Sequence, residues 1–82
     1  MDGMKHGIGE MLYDTGKPFI RGYFYADKPD GFGVNFHRNG RRSFIGNFKN
    51  GKRHGFGKEY DINGIEIIEG TWNEGKMVDN VN

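Results

Sequence analysis

The sequence predicts an all-β chain, a single-layer antiparallel meander of consecutive β-hairpins with about six strands and a 24-residue period. Three observations carry this. First, all 15 glycines fall on one 24-residue lattice: Gly7, Gly31 and Gly55; Gly9, Gly33 and Gly57; Gly16, Gly40 and Gly64; Gly22, Gly46 and Gly70; Gly3, Gly51 and Gly75, with Asp27 at the single vacancy. Second, the large apolar residues keep the same spacing, as in Phe24, Phe48 and Trp72, or Ile20, Phe44 and Ile68. Third, within each unit the side chains alternate with period two, the signature of a strand, and no window shows the 3.6 period of a helix.

The elements follow in order. "GIGEMLY" alternates and ends at "DTG", whose Asp and Gly suit a tight turn with positive φ. In "FIRGYFY", Ile20, Gly22 and Phe24 share one side while Phe19, Arg21, Tyr23 and Tyr25 share the other. "GFGVNFH" closes on "RNG", "SFIGNFK" on "KNG", and "GFGKEYD" on "ING". "EIIEGTWN", Glu66 to Asn73, is expected to be the last strand and therefore a free edge. Residues 1–82 thus form one repeat domain, with a partial unit at 1–19, full units at 20–43 and 44–67, and a partial unit at 68–82. The chain opens and closes inside units, as a piece of a longer array would. Because 24 is even, equivalent side chains stay on the same face from unit to unit.

One copy of the unit, "FIGNFKNGKRHGFGKEYDING" (Phe44 to Gly64), resembles the MORN (membrane occupation and recognition nexus) repeat: aromatic, Gly, aromatic, then Gly-Lys, His-Gly-x-Gly, an aromatic and a Gly turn. "IRGYFYADKPDGFGVNFHRNG" (Ile20 to Gly40) matches with Asp27 in place of Gly and Asp30 in place of His. The resemblance covers nearly the whole chain. It departs from the family in a unit one residue longer, in an aromatic one position closer to Gly-x-Gly (Phe36, Tyr60), and in Ile20, Phe44 and Ile68 where Tyr is usual. A bulge or a longer turn can absorb the first two changes. The family implies a sheet strip that docks on proteins or on anionic membranes.

Composition narrows the chemistry. There is no cysteine, which removes disulfides, thiol catalysis and the commonest zinc motifs, and fits a cytoplasmic setting. No run approaches the length of a membrane span. Gly-x-Gly in "KRHGFGKEY" is followed by a strand, so it is expected to clear backbone for a neighbouring ring and not to cradle phosphate at a helix N-terminus. His6 and His54 lie two units apart, about 20 Å in a regular strip, too far to share a metal. His37 stands beside a turn and His54 is expected to close one. No carboxylate is paired with a nucleophile, so neither an enzyme nor a cofactor is expected.

Two interaction sites remain. With no helix to cover the sheet, the columns Ile20, Phe44, Ile68 and Phe24, Phe48, Trp72 are expected to form an exposed apolar face for a protein partner, with edge strands open to self-association. Residues 38–58 carry seven positive charges and no acid. Arg38, Arg41, Arg42, Lys49, Lys52, Arg53 and Lys58 are therefore the alternative site, a patch for an anionic phospholipid surface. Nucleic acid is not expected. The overall expectation is a non-catalytic protein-binding scaffold, within a cytoskeletal or membrane-associated assembly.

Overall fold

The computed structural model describes residues 6–80, so the lattice position Gly3 lies outside the described residues. Among the described residues seven strands run in sequence order through one open antiparallel sheet: β1 (Gly7–Leu12), β2 (Pro18–Tyr25), β3 (Lys28–Phe36), β4 (Arg42–Lys49), β5 (Lys52–Tyr60), β6 (Glu66–Asn73) and β7 (Lys76–Asn80). The seventh is a correction. Glu74 and Gly75, on the lattice of Asn50 and Gly51, turn the chain back, and β7 pairs with β6 from Asn73↔Lys76 to Gly70↔Asn80.

Two kinds of turn alternate along the two rims. On one, two-residue turns place both residues at positive φ: Ala26 and Asp27 at 51° and 70°, Asn50 and Gly51 at 53° and 85°, Glu74 and Gly75 at 51° and 89°. Their backbone twist matches that of the strands they join. On the other rim, three equivalent loops close by the same pair of bonds. In the first, Tyr13 N–H donates to Lys17 O at 2.8 Å and Gly16 N–H to Tyr13 O at 3.0 Å. The extra residue of each unit is absorbed as a bulge after each such loop, where the register slips between Met11/Leu12, Asn35/Phe36 and Glu59/Tyr60.

Directly paired residues share a face, so the register lays a row of glycines across six strands: Gly9, Gly22, Gly33, Gly46, Gly57 and Gly70. Bare backbone in this row lets rings lie flat on it. A Cβ on Gly57 would fall inside the radius of Phe44 Cζ and 2.6 Å from its Cε1, and one on Gly33 would come within 3.3 Å of Phe48 Cδ1. The rings then meet edge to face, Phe44 with Phe48 at 5.4 Å and with Trp72 at 5.0 Å between centroids.

This packing corrects the expectation of an exposed apolar face. Ile20, Phe24, Phe44, Phe48 and Trp72 are all buried, Phe44 completely, and Ile68 packs half-buried against them with Met77. The single-layer sheet makes its core on one face, by folding its own rings onto glycines of adjacent strands.

Candidate interaction surfaces

The ring face is a trough. A cavity of about 490 Å³ opens on it, lined from Met11 on β1 through Ile20, Asn35 and Phe48 to Gly75 after β6, a span that only a curled sheet brings round one opening. Arg53 lies in this face, its guanidinium carbon 4.1 Å above the Phe44 ring and 5.7 Å from that of Trp72, with Glu59 at 3.6 Å. Burial pushes the Arg53 pKa down and Glu59 opposes this; an arginine so placed stays charged throughout the physiological range. The side chain is thus a packing element, its stem and fork filling the space that Met77 fills one unit later.

The opposite, outer face carries what the core leaves out. Tyr23, Phe32 and Phe56 are about half exposed, at 49%, 52% and 47%. Phe32 and Phe56 flank a groove of about 320 Å³, whose other walls are Ile45, Asn47, Lys58 and Tyr60. Both sit at the strand bends made by Gly31 (φ 104°) and Gly55 (φ 93°), where β3 and β5 carry two extra residues opposite β2 and β4. Regular pairing with Asn47 and Thr71, between core-facing pairs on either side, puts Phe32 and Phe56 on the face away from the core. Period two alone pointed to this face as readily as to the other.

The seven basic residues are not brought together. Lys49 and Lys52 lie at the tight-turn rim, and Arg38 and Arg41 at the loop rim, separated by the length of an eight-residue strand, about 26 Å. Arg42 lies over the Tyr60 ring at 5.2 Å, Lys58 is 3.8 Å from Glu66, and Arg53 is in the trough. Arg38 bonds Asp14 at 2.9 Å and lies 4.4 Å above Tyr13, while Arg41 donates to Asn63 O at 3.1 Å. That Arg38 contact holds the Asp14 carboxyl below its ordinary carboxylate value. The positive charge of this segment thus divides between two rims and two faces, because the hairpin folds it back on itself.

His6 and His37 bind backbone. His6 Nδ1 accepts from Ala26 N–H at 3.2 Å, and one unit later Asp30 Oδ2 accepts from Asn50 N–H at 3.1 Å. This accounts for Asp30 standing at a histidine position: either side chain offers an acceptor to the first turn residue of the next hairpin. His37 Nε2 meets Tyr60 O at 3.0 Å, the place of the Tyr13 hydroxyl on Phe36 O at 2.5 Å. His54, expected to close a turn, lies within β5. Tyr13, Arg38, Asn39 and Arg41 all reach one unit along the loop rim, so that the rim is stitched by side chains as the strands are by backbone.

Among the described residues no helix is long and apolar enough to cross a membrane. The family model of the MORN repeat matches residues 1–17, 21–34, 44–65 and 69–78. None of the curated proteins compared matches the chain.

Proposed function

The chain belongs to the MORN-repeat family, and from that premise we propose that it is a non-catalytic scaffold that binds a protein partner on the outer face of its sheet. One observation carries the choice of face. The ring face spends its aromatics on the core, whereas Phe32 and Phe56 stand about half exposed at an apolar groove, with Tyr23 half exposed on the same face. Exposed aromatics that rim a groove are characteristic of sites that bury them on binding. Lys58 and Tyr60 at the groove give a partner polar groups to register against. The anionic-membrane alternative has less support, because the seven basic residues of its patch divide between two rims and two faces.

The experiment compares Phe32→Glu/Phe56→Glu with the parent chain. Both positions are exposed, so the variant is expected to keep its circular dichroism and its melting temperature within a few degrees. Affinity capture with the parent chain is expected to retain a polypeptide that the variant releases. Retention of the same polypeptide by a folded variant would place the binding elsewhere.

A further inference from the structure

The outer groove follows one strand in the middle of the sheet. Its floor is β4, where Ile45, Asn47 and Lys49 alternate with the core-side Phe44, Gly46 and Phe48. Its walls are the Phe32 ring on β3 and Phe56, Lys58 and Tyr60 on β5. Two strand spacings separate the walls, about 9.6 Å, and the eight residues of β4 run for about 26 Å. All seven strands belong to the one sheet, so no element among the described residues lies across this face.

The backbone decides which kind of segment can lie there. β4 is paired on both sides, with β3 from Gly31↔Phe48 to Phe36↔Arg42 and with β5 from Phe44↔Glu59 to Lys49↔Lys52. Its N–H and C=O groups are committed in the plane of the sheet and offer nothing to a chain lying above it. An extended segment in the groove would leave its own backbone groups without partners on the buried side. A helix satisfies its backbone internally and presents side chains alone. Walls about 10 Å apart admit one apolar stripe of such a helix, spaced i, i+3, i+4 and i+7, and a length of about 26 Å corresponds to about 17 helical residues. The helix would also supply the second layer that the strip lacks.

Charge narrows the helix further. Lys49 stands at the tight-turn end of the groove, Arg42 lies over the Tyr60 ring at 5.2 Å toward the loop end, and Lys58 is in the wall. The segment 38–58, which builds the floor and much of one wall, contains no acid. The acids that meet Lys58 are Glu66, at 3.8 Å, and Glu69, its partner in the register, both on β6 outside the wall. On the Phe32 side, Arg21 is already bonded to Glu10 at 2.9 Å. Three cations spread along an apolar groove suit a narrow ligand that carries acidic residues on the flanks of its apolar stripe. Resting on the outer-face reading, we infer that the partner segment is an acidic amphipathic α-helix of another protein, lying along β4 with its apolar stripe between Phe32 and Phe56 and its carboxylates against Arg42, Lys49 and Lys58.

Fluorescence anisotropy with three synthetic peptides of about 17 residues tests this. All carry the same leucine stripe and a hydrocarbon staple on the outward side that holds the helix; their flanking residues are glutamate, glutamine or lysine. The glutamate peptide is expected to bind at least about tenfold more tightly than the glutamine peptide, by a margin that shrinks as salt rises, and the lysine peptide to bind weakest. Lys49→Glu/Lys58→Glu is expected to reverse this order, whereas Lys17→Glu, at an exposed position in the first loop, leaves it unchanged. Phe32→Thr/Phe56→Thr, which adds no charge, is expected to weaken all three peptides about tenfold. Equal affinity for the three peptides, or no saturable binding of the glutamate peptide, overturns the acidic helix; if Phe32→Thr/Phe56→Thr still weakens peptides bound equally, the outer-face reading survives. Affinity unchanged by Phe32→Thr/Phe56→Thr in a folded chain overturns both. A proline-containing peptide of the same composition that binds as tightly as the stapled one overturns the helix. A dimer of the chain alone that Phe32→Thr/Phe56→Thr dissolves in sedimentation velocity assigns the groove to a second copy and likewise overturns the inference.

Discussion

Replacing Gly57 by alanine isolates the physical basis of this core. Gly57 is absent from the positive-φ positions, so alanine meets no backbone strain there, only the Phe44 ring at 2.6 Å (Cε1) and the Ile45 carbonyl oxygen at 3.1 Å. The ring has nowhere to go: Phe48, Trp72 and the Arg53 guanidinium hold it at 5.4, 5.0 and 4.1 Å. Overpacking a well-packed site costs about 1–3 kcal/mol, and a ring clamped on three sides puts this one near the top of that range. At about 4–8 °C per kcal/mol for a domain of this size, the melting temperature falls by about 12–24 °C. Thermal and urea unfolding of Gly57→Ala, Phe44→Leu and the double variant measure the effect. Phe44→Leu removes the clashing ring atoms, so the double variant is expected to be more stable than the sum of the single costs by about 1 kcal/mol or more. Gly16→Ala serves as the control, because its φ of 90° is strained but nothing lies within 4 Å, so Phe44→Leu leaves its cost unchanged. Strict additivity of Gly57→Ala with Phe44→Leu, or a Gly57→Ala chain as stable as the parent, would refute the ring-on-glycine account.

Ala26 occupies φ 51° where the next hairpin has Asn50, so Ala26→Asn is expected to stabilise the chain by about 1 kcal/mol, read as a higher urea midpoint. Arg53→Ala is expected to cost about 1–2 kcal/mol through lost packing and cation–π contact, whereas Arg53→Met, the residue type one unit later at Met77, retains most of the stability. The Asp14 carboxyl, held below its ordinary value by Arg38, contributes stability above that value and loses it as the pH falls through its folded-state pKa. An NMR titration is expected to find its midpoint below 3.8, and Arg38→Ala to move it upward. Since the basic residues are divided between rims, liposome sedimentation is expected to show little dependence on anionic lipid; binding abolished by Arg41→Glu/Arg42→Glu would restore the membrane reading.

The sequence by itself determined the repeat. Steric need for bare backbone fixes glycine at each close approach and turn, so their spacing states the unit, its hairpins and its even parity without reference to any contact. It holds the seventh strand as well, since Gly75 and Lys76 repeat Gly51 and Lys52. What only the tertiary structure decided was which face is dry and which charges are neighbours. Period two says that Phe24 and Ile20 share a side, and that Tyr23 and Phe19 share the other, but both sides of a flat strip are wet. Burial arises from the curl of the sheet and from the rings lying across to glycines on the next strand, a relation between strands that no single strand's pattern contains. For the same reason seven basic residues within the one segment 38–58, once folded back through a hairpin, became two rims, a stacked arginine and two cross-strand contacts.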